Sequence, residues 1–238
     1  MNKINSILNK NNVFFYYANI IDYLRFILLI IGIFYSFTHP LLFVSLYFIS
    51  FILDLFDGLV ARYFNQCSLF GSSLDMIIDR ISTSSFLVIL SHLYKERTII
   101  YILLMVLDIS SHWLQVYSSI LELSKNKNIK NHKELKEYFK ILSFYYNNKI
   151  FLGILCFGAE MFLVLRYLKY FFNFEHNSNA YNKNFLKLIY ITDTYIYFLF
   201  YALYIFKQIM SILQIISASL RIVDYDIKLK DIDNNKYK

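Results

Sequence analysis

"DLFDGLVARYFNQCSLFGSSLDMIID" occupies residues 54–79 and places four aspartates, one arginine and two glycines in a chain otherwise dominated by apolar side chains. Of its 238 residues, 58% are hydrophobic, 20% aromatic and only 17% charged. Soluble domains carry about 25% charged residues, so this is thin polar cover. Mean hydropathy is +0.44, and apolar runs fall at roughly 20–38, 41–62, 71–93, 99–121, 150–172 and 185–217. Crossing a hydrocarbon core of about 30 Å takes about 20 helical residues. The pattern predicts an all-α integral membrane protein of about six transmembrane helices. The runs lack the alternation of a membrane β-barrel.

Against that background the aspartates stand out. A carboxylate at membrane depth costs from about 3 to over 10 kcal/mol, and several together repel one another. Their spacing is helical. At 100° per residue Asp54, Asp57, Gly58 and Ala61 share one face with Arg62 at its edge, while Gly71, Asp75 and Asp79 share another at i, i+4 and i+8. A turn from Tyr63 to Phe70 would return the second helix beside the first, so that the carboxylate pairs confront each other at one end of a bundle. Four inward oxygen donors suit a hard cation such as Mg²⁺ or Mn²⁺. Gly58, Ala61 and Gly71 leave room for a bulky anionic substrate, and Arg62 offers a cation for phosphate. A lone intramembrane aspartate is often a structural hydrogen-bonding group; four at this spacing point to metal and a phosphate-bearing substrate.

The net charge of +7 follows topology and is no nucleic-acid footprint. Lysines crowd 125–140 and basic residues crowd 221–238; with six spans both fall on the side of Lys3 and Lys10. The positive-inside rule then puts the N-terminus, the 62–71 turn, a variable loop over 122–147 and the C-terminal tail in the cytosol. Cys67 and Cys156 imply no disulfide framework. No linker or repeat divides the chain, so residues 1–238 read as one membrane domain.

The 54–79 stretch fits D-x2-D-G-x2-A-R-x8-G-x3-D-x3-D without departure and resembles the signature of the CDP-alcohol phosphotransferases. "NIIDYLR" (19–25), "FNQCSLFGSSLDMIIDR" (64–80), "LDISSHWLQVYSS" (107–119) and "KIFLGILCFGAE" (149–160) are similar to segments of eukaryotic phosphatidylinositol synthases. The resemblance covers roughly 13–172, and the last third adds only a hydrophobic span. Ala18 stands where many members have proline, and Lys149 and Ala159 where arginine and asparagine are expected.

The resemblance implies transfer of a phosphatidyl group from CDP-diacylglycerol to myo-inositol with release of CMP. It implies a six-helix homodimer requiring Mg²⁺ or Mn²⁺, with its active site at the cytosolic end, in the endoplasmic reticulum or Golgi. Carried over residue by residue, Asp54, Asp57, Asp75 and Asp79 would ligate metal, Asp79 would also act as base, and Gly58, Arg62 and Ser68 would contact CDP-diacylglycerol. Asn19 and Arg25 could help position that donor, or Arg25 could anchor the first helix in the membrane.

On the acceptor side, Asp108, Ser111, His112, Gln115 and Ser119 share a helical face. Such a stripe in a membrane helix faces the interior, either as hydrogen-bonding glue between helices or as the lining of a polyol site. Lys149, Gly153, Cys156 and Glu160 share a second face. The candidate inositol site is Asp108, His112, Gln115, Lys149 and Glu160. Two alternatives remain: another acceptor (glycerol 3-phosphate, serine or an aminoalcohol), or a transporter with an ion path. An ion path needs polar groups at successive depths, whereas these aspartates cluster at one end.

Overall fold

The computed structural model describes residues 13–125, 138–171 and 183–236. Every regular element among them is helical: α1 (Tyr17–Tyr35), α2 (Pro40–Tyr63), α3 (Leu69–Leu93), α4 (Thr98–Lys125), α5 (Lys140–Asn147), α6 (Lys149–Phe171) and α7 (Lys183–Lys236), with single 3-10 turns at Val13–Phe15 and Lys95–Arg97. Six of these helical stretches are long and apolar enough to cross a membrane, as the hydropathy pattern predicts, and the protein is a multi-pass membrane protein. The basic 126–137 stretch lies outside the described residues, and α5 forms in the second half of the segment expected to be a loop.

Local chemistry sets the helix ends around the aspartates. Pro40 occupies the first turn of α2, where its missing N–H leaves no bond unmade. At the other end Asn65 takes a left-handed conformation (φ 53°). The Gln66 amide donates to the Ala61 carbonyl at 2.8 Å and the Asn65 amide to that of Arg62 at 3.3 Å. This paired closure is a Schellman motif, with asparagine in the position usually given to glycine. Three residues on, Ser68 Oγ accepts the Gly71 amide at 2.9 Å and caps α3. The chain therefore reverses within a few residues.

The described residues form two compact units dividing between Ile89 and Leu90. In the first, α1 lays a buried stripe of Ala18, Asp22, Arg25, Leu29 and Gly32 against its neighbours. Phe43, Tyr47 and Phe86 interlock beneath it, with ring centroids 5.1 Å apart for Phe43–Phe86 and 4.8 Å for Tyr47–Phe86. In lipid such packing, rather than water exclusion, holds helices together.

In the second unit α4 and α6 both pack on α7. A Cβ on Gly158 would overlap the Leu203 side chain, so glycine permits the α6–α7 approach. Leu142, Tyr145, Leu155 and Met210 form a buried cluster there. α7 runs for 54 residues, about 80 Å at 1.5 Å per residue. It continues well past 217, the expected end of the last span, because no glycine or proline interrupts 183–236. Nor is it merely hydrophobic: Lys207, Ser211, Gln214, Ser217 and Arg221 are all buried along it.

Candidate active site

The acidic site is built from the near ends of α1, α2 and α3. α2 contributes Asp54 and Asp57 one turn apart, and α3 contributes Asp75 and Asp79. The structure brings all four predicted carboxylates together, around the guanidinium of Arg25. Its Nη1 donates to Asp57 Oδ2 at 2.8 Å and Asp75 Oδ1 at 2.8 Å; its Nη2 donates to Asp79 Oδ1 at 2.7 Å and pairs with Asp54. A fifth carboxylate, Asp22, meets Nη1 at 2.9 Å from one turn earlier on α1.

Exposure grades across the cluster. The Asp22 and Arg25 side chains are 2% and 3% exposed, whereas Asp75 and Asp79 are 40% and 37% exposed. The site thus has a closed wall on α1 and an open side on α3. Beside it, a cleft of about 170 Å³ is lined by Asn19, Asp57, Gly58, Arg62, Ser68 and Asp75 among others. The three residues expected to contact the nucleotide donor therefore surround one cavity together with three of the carboxylates, Asp22, Asp57 and Asp75. Arg62 folds back so that a Cβ on Gly58 would lie 3.3 Å from its Nη1. The α3 N-terminus, with the Ser68 cap, also faces this cleft and adds the partial positive charge of a helix start.

The donor set can be tested against a divalent metal. Asp22, Asp57 and Asp75 each offer an oxygen within 4.8 Å of the others', and so do Asp54, Asp75 and Asp79. Asp75 belongs to both triads. All donors are hard carboxylate oxygens, which suit Mg²⁺ or Mn²⁺. The Arg25 guanidinium is itself a stand-in cation: Nη1 meets the first triad, and Nη2 meets Asp54 and Asp79 of the second. Five carboxylates meet the Arg25 guanidinium, and Arg80 Nη2 adds a second cation 3.9 Å from Asp79 Oδ2; the carboxylates still outnumber the cations, and the residues fit a divalent ion.

Two participants were not legible as site residues from the motif. Asp22 lies outside it, and Arg25 read equally as a membrane anchor. The available signal was "NIIDYLR" itself, where an aspartate and an arginine one turn apart open an apolar span. Opposite charges at that spacing within a membrane helix face inward and find partners. Asn19, 1% exposed, donates from Nδ2 to the Val13 carbonyl at 2.6 Å and braces the floor of the cleft.

The candidate acceptor residues all belong to the second unit. Asp108, Ser111, Gln115, Ser118 and Ser119 are buried on α4. Gln115 Oε1 and Ser118 Oγ accept from Arg221 Nη2 on α7, the latter at 3.0 Å. These bonds run between helices, as the packing interpretation of the stripe requires. His112 Nδ1 lies 2.8 Å from the Asp108 carbonyl of its own helix. Glu160 lies 4.0 Å from the buried Lys207 of α7. Lys149 is exposed on the first turn of α6, apart from those buried groups.

A sequence model of the CDP-alcohol phosphatidyltransferase family matches residues 15–164. The chain is 36% identical over 226 residues to CDP-diacylglycerol–inositol 3-phosphatidyltransferase 1 of Arabidopsis thaliana, covering 92% of this chain and 93% of that protein. It is 35% identical over 220 residues to the Candida albicans enzyme of the same name, covering 92% and 86%. The human enzyme of that name is 38% identical over 161 residues, covering 67% and 73%. No solved structure matches the chain.

Proposed function

From the premise that this chain belongs to the CDP-alcohol phosphatidyltransferase family, we propose that its acidic site carries out metal-dependent synthesis of phosphatidylinositol. The chain is a CDP-diacylglycerol–inositol 3-phosphatidyltransferase, moving the phosphatidyl group of CDP-diacylglycerol to inositol. The observation that carries the mechanism is the five-carboxylate cluster beside a cleft lined by Gly58, Arg62 and Ser68.

Asp54, Asp57, Asp75 and Asp79 would hold Mg²⁺ or Mn²⁺, while Asp22 stays paired with Arg25. Bound there, the metal would neutralise the donor pyrophosphate and stabilise the departing CMP. The remaining chemistry belongs to the chain. Arg62 and the α3 N-terminus bind donor phosphate, Ser68 keeps a hydroxyl proton to donate after accepting the Gly71 amide, and Gly58 leaves room for the nucleotide. An inositol hydroxyl oxygen attacks the phosphorus that carries diacylglycerol. The bond from that phosphorus to the bridging oxygen breaks, and CMP leaves with the electron pair. Asp79, on the open side, takes the hydroxyl proton. No nucleophile is held by a separate base in this cluster, so transfer is direct rather than through a covalent intermediate.

The candidates for inositol recognition are Asp108, His112, Gln115, Lys149 and Glu160. The site opens to the cytosol, both termini are cytosolic, and the enzyme works as a homodimer in the endoplasmic reticulum. The test is turnover in detergent with excess EDTA and after adding back Mg²⁺ or Mn²⁺. Activity should vanish and return, and Asp57→Ala should insert in the membrane yet stay inactive with metal. Full turnover in EDTA would refute the metal mechanism.

A further inference from the structure

Arg25 is an unusual residue to find where a metal belongs. Its side chain is 3% exposed, and its terminal nitrogens contact five carboxylates from three helices. Nη1 has two protons for three carboxylate partners at 2.8–2.9 Å. The acidic groups are therefore arranged for more cationic charge than one guanidinium supplies. Nη1 touches all of the triad Asp22, Asp57 and Asp75, and Nη2 touches Asp54 and Asp79 of the other. The guanidinium spans both groups of metal-capable oxygens. It and a divalent ion compete for the same oxygen lone pairs.

We infer that Arg25 is the resident counter-cation of the metal-free site: it neutralises the aspartates until divalent metal arrives, and must withdraw from Asp54, Asp57, Asp75 and Asp79 for metal to load. Asp22 makes the exchange workable. It is buried on the same helix, one turn before Arg25 and 2.9 Å from Nη1, so it retains the guanidinium after withdrawal and spares it an unpaired burial. Arg25 Nε makes no hydrogen bond, so no third contact pins the head group in its cross-site position. The exchange holds the three helix ends together while metal is absent and sets a threshold for metal loading. This inference rests on the metal-dependent reading of the site.

The test compares wild type, Arg25→Met and Arg25→Lys, measuring Mn²⁺ affinity by electron paramagnetic resonance and Tm in EDTA and in saturating Mn²⁺. Removing the competitor should tighten Mn²⁺ binding about tenfold, a difference of about 1.4 kcal/mol. Arg25→Met should melt lower than wild type in EDTA, and Mn²⁺ should restore most of the lost Tm, because metal takes over the neutralising role. Arg25→Lys keeps the charge but cannot span both triads; its affinity should lie between the two, and it serves if the methionine variant does not fold. A Tm loss in Arg25→Met that persists at saturating Mn²⁺ would overturn the exchange, since guanidinium and metal would then be needed together. So would a lysine variant with wild-type Mn²⁺ affinity. Absence of Mn²⁺ binding in all three proteins would overturn both the exchange and the metal reading, whereas binding of equal strength in all three would overturn the exchange alone.

Discussion

Gly71→Ala is a small change with a large expected effect. A Cβ built on Gly71 would lie 2.6 Å from Asn19 Oδ1 and 3.1 Å from Ser68 Oγ. Real Cβ atoms essentially never approach another heavy atom within 3.0 Å, so Asn19 or α3 must give by a few tenths of an ångström. Asn19 cannot easily do so, because it is 1% exposed and tied through Nδ2 to the Val13 carbonyl. Overpacking of this kind costs about 1–3 kcal/mol, and disturbing the Ser68 cap adds about 1 kcal/mol. Better helix propensity of alanine returns about 1 kcal/mol. The net loss is about 1–3 kcal/mol, and at about 2–4 °C per kcal/mol the Tm should fall several degrees. Because Asn19, Ser68 and Gly71 all line the cleft, kcat/KM for CDP-diacylglycerol should drop about tenfold for each 1.4 kcal/mol of lost binding. Gly153→Ala is the control, since nothing lies within 4 Å of its added Cβ. A Gly71→Ala protein with wild-type Tm and wild-type donor KM would refute the reasoning about this close approach.

Further outcomes follow from the same geometry. Asp79→Asn keeps an oxygen for metal but cannot take a proton at neutral pH; kcat should fall about 10²–10⁴-fold, and rescue by added Mn²⁺ would make Asp79 chiefly a ligand. Glu160→Ala strands buried Lys207 and should cost about 3 kcal/mol, whereas the double change with Lys207→Met should melt above the single variant; an additive loss would mean that the 4.0 Å pair is not coupled. Cys67 is exposed and lines the cleft. In sealed vesicles lacking Cys156 it should react with an impermeant maleimide from the cytosolic face and be protected by CDP-diacylglycerol. Reaction only from the opposite face would invert the proposed topology.

The membrane helices were legible because each apolar run is about as long as a bilayer requires or longer, and helical spacing alone brings the motif aspartates onto facing surfaces. Tertiary partners were harder to see. Periodicity shows that Gln115 faces inward but not that Arg221, over a hundred residues later, donates to it. The last helix read as plain hydrophobic filler because its polar residues recur singly every three or four positions among apolar neighbours. Only packing against α4 and α6 reveals them as a buried line from Lys207 to Arg221. Asp22 was hidden differently. It lies 32 residues ahead of Asp54, where the motif begins, and joins it only because α1 folds against α2 and α3. Ser68, read from the resemblance as a donor contact, is also the α3 cap, a role visible in the serine–leucine–phenylalanine–glycine order at a helix start.

The most direct test of the function is CMP release from CDP-diacylglycerol by the purified protein in Mn²⁺, measured alongside phosphatidylinositol with and without myo-inositol. CMP should appear only when inositol is present and in equal amount to the phosphatidylinositol formed. CMP release indifferent to inositol, or driven instead by glycerol 3-phosphate or serine, would contradict an inositol phosphatidyltransferase.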